Sequence, residues 1–556
     1  MKLRTLIFLL LLCSILPALT FAQKKEKNKT DKKEKGLLLQ DFNPSDSSSV
    51  LRLPSLRFEN INKVAYYYDA AKLAKIKRYR QDKQWDKLFI SLYDYISHFG
   101  INNFLKHQDM ELLWLLARVS EYVGHVTITK DVYTLIIKHY RGDLQKALLH
   151  YDSLTKFEKD LYVNIEHYYK LVQKRKAIDT LKPPENVLQN MGEAINSPLE
   201  DYGMTIGGNN DNIIYFTSQR LEKEGGIEGI EIGNEPKNEN IYYSMRDTEG
   251  IWSPAKPFEG INTKYNEGSP CVSRDGKTLV FVRCHSPEGF GDCDLFISYK
   301  KEDGTWTPGE NLGESINSYA WDSHPSFSLT EDTLYFASDR RGGFGGSDIY
   351  FSVKGKKGNW GKAQNIGPII NTQKSELSPY VHPKHNVLYF SSNGQLANFG
   401  SFDIFKSFQV DAYWIEPKNV GPLVNGPGNE FYFSTDSKSA WIYYAKSTLR
   451  NIEDLDLHSF PMPMEAKPNN TIRFSGKVVE PTTGEVFEGI VSVIDLSDGV
   501  EVAPKYLRED GTFEFELIDQ KKYLLVIEGD NFFKIEEMFF VDGETEIWMS
   551  TSPPLM

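Results

Sequence analysis

Three aspartates of this 556-residue chain, Asp294, Asp348 and Asp403, sit at the same place in a repeated phrase. Carboxylates delivered by successive repeats could ligate a cation. They could equally supply the acid and base of a glycosidic hydrolysis, which needs two of them at a mechanism-specific separation. Repetition points elsewhere, because what recurs in every unit ordinarily serves the unit, and short acidic side chains accept backbone hydrogen bonds in turns. The expectation is turn-capping aspartates, with no catalytic, cofactor-binding or metal-ligating residue. Outside the repeat, Arg340, Arg341, His285 and Trp321 could line a channel mouth, and each has a structural explanation of similar weight. The chain has no G-x-S-x-G elbow, no phosphate loop and no His-Glu-x-x-His helix. Its glycines from Gly342 to Gly346 fall in a strand connection. Acidic residues are abundant enough to keep a five-bladed glycosidase as the main enzymatic alternative, although nothing makes them converge. A serine peptidase would need a hydrolase domain, which the flanks do not resemble.

The thiols are the other reactive group. Cys284 ends one expected strand and Cys293 begins the next, so they can face each other across a hairpin. They are the candidate disulfide if the compartment is oxidising. Cys271 would then be a buried free thiol, and no Cys/His grouping has zinc-site spacing.

The elements that must position these residues are announced by the repeat itself. Leu279-Val280-Phe281, Leu334-Tyr335-Phe336-Ala337-Ser338-Asp339 and Leu388-Tyr389-Phe390-Ser391-Ser392-Asn393 are three copies, with weaker ones at Ile214–Gln219 and Ile442–Ser447. Phe281, Phe336 and Phe390 recur every 54–55 residues, a spacing suited to propeller blades. In the clearest unit, Ser323–Leu329 is expected as the innermost strand, then Thr333–Ser338, Asp348–Val353 and Trp360–Asn365. The connector Ile366-Gly367-Pro368-Ile369-Ile370-Asn371 follows, with sisters at Leu312–Asn317 and Val420–Asn425. The last copy, from Ser439 to about Pro463, lacks an outer strand and connector, and the missing piece stands at the front as Val187–Asn196. The simplest closure is a five-bladed ring whose final blade takes its outer strand from that segment, leaving no exposed edge. A loop insertion at Leu221–Glu239 explains the longer first interval.

Before the ring, residues 60–182 read as helices. Trp85, Leu88, Phe89, Leu92, Tyr93 and Ile96 keep i, i+3, i+4, i+7 spacing, as do Leu112, Leu113, Leu116 and Val119. Gly100, Gly124 and Gly142 mark helix ends. Antiparallel helix pairs of tetratricopeptide-like type fit. After the ring (183–463), short alternating strands over 470–550 indicate a β-sandwich. These are Ile472–Val479, Gly489–Asp495, Thr512–Leu517 and Tyr523–Glu528. Residues 1–22 read as a secretory signal cleaved after Ala22, and 23–59 as a disordered charged and polar leader.

The net charge of -12 disfavours nucleic acid as a partner. Charge is unevenly divided: residues 24–182 carry 30 basic and 20 acidic side chains, and residues 183–556 carry 32 and 56. The two halves would then face different partners or each other; the bland reading is that helices simply favour lysine on their solvated faces.

Leu334–Asp339 followed by Gly345-Gly346-Ser347-Asp348-Ile349-Tyr350 resembles the TolB-type, WD-like propeller repeat. The tail, with Ser475-Gly476-Lys477-Val478-Val479 and Asp510–Phe515, is similar to carboxypeptidase regulatory-like domains. The order of parts resembles PorE-type periplasmic proteins of the Bacteroidota type IX secretion and gliding apparatus. This chain departs from them in stopping at Met556, where they carry an OmpA-like peptidoglycan-binding domain. The resemblance implies a non-enzymatic scaffold at the inner face of the outer membrane, binding envelope or secretion proteins, with no direct peptidoglycan anchorage. A glycan-active or glycan-binding propeller, or a TolB-like binding protein, is the alternative.

Overall fold

The computed structural model describes residues 56–155, 162, 189–220, 239–448, 451–479, 486, 488–497, 500–529, 532–543 and 545–550. The expected signal, most of the leader, the Leu221–Glu239 insertion save its last residue and the stretch around Pro183 lie outside these residues.

The helical part begins earlier than its periodicity suggests. Leu56 and Ile61 are buried, and Phe58 packs edge-on against Phe104 at 5.3 Å. Ordered packing therefore reaches into the expected leader, because Leu56 and Phe58 are apolar side chains after a polar run. Six helices follow among the described residues: α1 Ala70–Gln81, α2 Trp85–Ser97, α3 Ile101–Phe104, α4 His107–Tyr122, α5 Val126–His139 and α6 Gln145–Thr155. Asp69 caps α1 by accepting the Lys72 N–H at 2.9 Å, which satisfies one of the orphan donors of the first turn. α2 buries Leu88, Phe89, Leu92 and Ile96 on the stripe that the spacing requires. Gly124, at φ +84, makes the turn between α4 and α5, a conformation that costs glycine nothing.

Five antiparallel sheets follow in chain order, four of them four-stranded and one five-stranded. The first is Asp201–Gly207, Asn210–Ser218, Asn240–Met245, Lys256–Pro257. The second is Asn266–Val272, Thr278–Cys284, Cys293–Tyr299, Glu310–Asn311. The third is Asp322–Phe327, Thr333–Ser338, Asp348–Val353, Gln364–Asn365. In the fourth, Glu376–Val381, Val387–Ser392 and Asp403–Val410 are edged by both Tyr413–Trp414 and Lys418–Asn419. The fifth is Glu430–Thr435, Trp441–Thr448, Asn451–Pro461, completed by Gln189–Asn190, with Gln189 opposite Ser459 and Asn190 opposite His458. The innermost strands neighbour one another in order, and the cycle closes between fifth and first.

Alternation along each second strand knits neighbouring sheets together, because successive side chains point to opposite faces. Leu279 and Phe281 join the core shared with the first sheet, while Val280 and Val282 join that shared with the third. Phe281, Phe336 and Phe390 are wholly buried in these inter-sheet cores. The outer strand is shorter than expected, Gln364–Asn365 instead of Trp360–Asn365. Its first half turns instead: Trp360 makes a single bridge to Lys354, and the Gly361 N–H returns to the Val353 carbonyl.

The C-terminal part holds a sheet ordered Thr512–Leu517, Ile472–Val479, Thr545–Ser550 and another running Val500–Glu501, Ile490–Asp495, Lys522–Gly529, Phe532–Phe540. Lys505–Tyr506 also pairs with Ile490–Asp495. Both sheets contribute to one core of Phe474, Val491, Val493, Phe515, Leu525 and Ile527. The strands Phe532–Phe540 and Thr545–Ser550 were not among the expected ones.

Candidate functional site

The repeated aspartates do not meet. Each lies at or next to the start of the third strand of its own sheet, two strands away from the centre of the ring. Asp348 accepts the N–H groups of Phe344 (2.7 Å) and Gly345 (3.1 Å) and the Asn365 side-chain amide (2.7 Å). Asp294 does the same with Phe290, Gly291 and Asn311, and Asp403 with Phe399, Gly400 and Asn419. Each asparagine then orients a second one. Asn365 accepts from Asn371, which brackets the N–H and C=O of Ile349. Burial pushes the Asp348 carboxyl up to about 6 against the pull of those donors. These residues hold their own turns.

A second ring of acids escaped the sequence reading. Asp201, Glu267, Asp322, Glu376 and Glu430 lie at or next to the start of the five innermost strands, and all are fully buried. In four of them a carboxylate oxygen accepts the N–H of the residue four positions earlier, Ser197, Thr263, Ser318 or Thr372. Four have a cation: Arg220, Arg283, Arg340 and Lys446, at 2.9, 2.7, 2.5 and 3.0 Å. Glu376 has the Thr372 and Ser392 hydroxyls instead. Burial raises it to about 8, and Glu430 to about 7. The legible signal was an acid five residues after the connector asparagine, at Asn196, Asn262, Asn317, Asn371 and Asn425.

Arg340 is thereby assigned: it binds Asp322, the Ile316 carbonyl and the Ser338 hydroxyl. His285 makes a turn at φ +55 and donates its N–H to Asp292. Arg341 is exposed in the turn after Arg340. Only Trp321 approaches the channel, edge-on to His324 at 4.9 Å. Cys284 and Cys293 are disulfide-bonded, directly opposite in register.

The centre of the ring is built by a device common to all five innermost strands. Gly203, Ser269, His324, Ser378 and Tyr432 each have φ between +47 and +64 and each sits at a break in strand register. A bulge of this kind re-aims a side chain, and all five line one cavity of about 230 Å³. His324 Nδ1 accepts the Ser378 N–H at 3.1 Å, so the neutral ring carries its proton on Nε2, which lies 2.7 Å from the Tyr432 hydroxyl. Burial pulls His324 down to about 3, and it stays neutral. The Tyr432 O–H is then free to donate, and Ser269 Oγ is 3.4 Å away. The Ser378 and Ser434 hydroxyls are buried without a partner among the described residues. Proline rings at Pro270, Pro325 and Pro379, with Met204 and Phe433, make the wall apolar. Cys271 is free and lines this cavity, part-buried rather than buried as expected; burial pushes the thiol up to about 12.

One end of the cavity is strapped. The Arg274 guanidinium, on the second sheet's hairpin, donates to the carbonyls of Leu329 and Pro383 in the third and fourth. Lys384 reaches the Ser437 carbonyl, and Asp211 accepts from Ser437, returning to the first sheet. Among the described residues the only carboxylate on the lining is Glu331, bound to the Arg274 N–H. Two converging carboxylates, which glycosidic hydrolysis needs, are not brought together on this described lining. Among the described residues no group of three or more His, Cys, Asp or Glu could hold a metal ion.

The helical part is fixed to the ring by the glycine-rich connection after Arg341. Phe344 enters the helical core, with ring centroids 5.4 Å from Phe104 and 5.1 Å from His139. Lys138 reaches the Ile369 carbonyl (2.9 Å) and Glu416 (2.5 Å), and His139 donates to the Pro368 carbonyl. The C-terminal part is held by Lys418 to Glu516, and by Glu465 of the linker, which accepts the Ala503 N–H.

The chain thus belongs by architecture among mostly antiparallel β proteins of propeller-like build, with a helical part before the ring. No family model matches it, and no curated protein matches it at a significant level. Solved structures resemble it at low identity. A protein described as a TolB from Agrobacterium tumefaciens is 9% identical, aligning 58% of this chain with 92% of that one at a TM-score of 0.30. An α-L-arabinofuranosidase from Lactobacillus brevis is 14% identical over 48% and 92%, TM-score 0.33. A protein of unknown function from Dyadobacter fermentans is 10% identical over 65% and 97%, TM-score 0.33.

Proposed function

We propose that this chain is a non-enzymatic scaffold of the cell envelope. In this reading it is a five-bladed propeller closed by its N-terminal strand, flanked by a tetratricopeptide-like helical module and a carboxypeptidase regulatory-like sandwich. It works in the periplasm, where it holds outer-membrane or secretion-machinery proteins in fixed relation, as the resemblance to PorE-type proteins implies. The observation that carries this reading is the interlock at Phe344. A ring residue completes the helical core, so modules suited to protein binding keep a set orientation. The repeated carboxylates, each consumed by its own turn, support the absence of catalysis. Affinity capture from envelope extracts tests it: reproducible recovery of envelope proteins, with no turnover of glycans, is the expected result. Hydrolysis of a glycan by the purified chain would overturn it.

A second reading has its own support. The unpartnered Ser378 and Ser434 hydroxyls, beside a Tyr432 O–H held only by Ser269 Oγ at 3.4 Å and His324, line a cavity with room for a small ligand or a peptide tail, as a TolB-like or glycan-binding protein would have. A rise in melting temperature with such a ligand, abolished in Tyr432→Phe, would favour it.

A further inference from the structure

α1 is unlike the helices that follow it. Of its twelve residues Lys72, Lys75, Lys77, Arg78 and Arg80 are basic, none is acidic, and only Ile76 is buried. Lys72 is committed to Asp94 at 2.7 Å. Lys75, Lys77, Arg78 and Arg80 are exposed, and Lys63, Lys83 and Lys87 extend the exposed cluster beyond the helix ends. Arg78 has one weak acidic neighbour, Asp82, at 3.7 Å across solvent. At 100° per residue, Lys75, Lys77, Arg78 and Arg80 fan around more than half of a convex helix, with no recess to grip one particular carboxylate. A diffuse array of cations fits a diffuse array of anions.

A second feature lies immediately before the helix. Tyr68 is 62% exposed and Val64 39%. Tyrosine is enriched at the headgroup level of bilayers, where its ring is buried and its hydroxyl stays wet. The segment 24–35, with seven lysines and three acids, adds basic charge upstream in the chain.

We propose that the α1 surface binds the phosphate headgroups of an anionic phospholipid bilayer by peripheral adsorption, with Tyr68 at the headgroup level. No helix among the described residues is long and apolar enough to cross a membrane, and none is needed for this mode. The proposal rests on the exported-scaffold reading only for its setting, since the test below uses purified chain and lipid alone.

The mature chain is sedimented with vesicles of phosphatidylcholine alone and with 30% phosphatidylglycerol, at 50 mM and 500 mM NaCl. Expected is binding to the anionic vesicles only, lost at high salt as screening shortens to a few ångströms. Each Lys or Arg near such a surface contributes about 1 kcal/mol, or roughly fivefold in affinity. Lys75→Gln and Lys77→Gln should each weaken binding by about that factor. The fourfold Gln variant of Lys75, Lys77, Arg78 and Arg80 should abolish it with the circular dichroism spectrum unchanged. Tyr68→Ser should weaken binding to the anionic vesicles at 50 mM NaCl. Equal binding to neutral vesicles, or undiminished binding of the fourfold variant, overturns the proposal. So does a chain that ignores vesicles while its α1 cations are needed to capture an acidic envelope protein, an outcome that would leave the scaffold reading standing.

Discussion

Phe344→Ala should uncouple the helical part from the ring. The side chain is 1% exposed and has aromatic neighbours on both sides, Phe104 and His139. Truncating a buried phenylalanine costs about 3–5 kcal/mol. Here the lost contacts cross the junction, so the cost falls on docking more than on either core. At about 1.4 kcal/mol per tenfold, the docked fraction relative to undocked should fall at least a hundredfold. The polar contacts of Lys138, His139 and Arg141 remain to hold a weakened junction. Hydrogen exchange is the assay: amides of α5 should lose protection while those of Val387–Ser392 keep theirs. Asp348→Ala should reproduce part of the effect, since Asp348 fixes the Phe344 N–H at 2.7 Å. The two changes should therefore couple by about 0.5–3 kcal/mol in a double-mutant cycle. Unchanged α5 protection in Phe344→Ala, or strict additivity with Asp348→Ala, would refute the argument that this loop is the fastening.

Other outcomes follow from single sites. Glu376 has its folded value raised to about 8 against an ordinary value near 4.5. The folded state therefore binds the extra proton, and its contribution is present below about pH 4.5 and lost as pH rises towards 8. Urea midpoints between pH 5 and 9 should fall less steeply in Glu376→Gln than in the parent. His139 is depressed to about 3 by burial, so stability should be lost as pH falls below about 6.5, and His139→Gln should flatten that limb. Cys284→Ser with Cys293→Ser opens a loop of sequence separation 9, which should cost about 2–3 kcal/mol by loop-entropy reasoning and lower the melting temperature. Tyr432→Phe leaves the His324 Nε2–H without its acceptor, a loss of about 1–3 kcal/mol, measurable by denaturant unfolding.

Much of the ring was legible because its cores depend on a period. Phe281, Phe336 and Phe390 announce second strands, and the copy of the connector at Val187–Asn196 announced the strand now seen against Ser459 and His458. The capping role expected of Asp294, Asp348 and Asp403 is the one their hydrogen bonds describe. The inner acids were missed because either Asp or Glu fills the position and their cations come from different strand positions, so the only fixed sign is the five-residue spacing from the connector asparagine. The bulge residues were hidden for a deeper reason. Gly203, Ser269, His324, Ser378 and Tyr432 share a backbone conformation but no side-chain chemistry, and conformation is what a residue list does not display. The Phe344 junction was equally silent, since its glycines read as an ordinary connection and its partners lie some two hundred positions upstream.

Pairing Gln189 with Ser459 has a consequence for how the molecule is made. The first strand of the ring must wait until the final one has emerged, and the wait spans almost the whole circle. Until then Gln189–Asn190 has no partner and the open ring has a bare rim, the kind of feature that invites mispairing with another chain. A chain made from its N-terminus presents Gln189–Asn190 soon after the helices and their partner Asn451–Pro461 only after the rest of the ring. Completing the circle is then a late, slow, all-or-none event that a nascent fragment cannot imitate.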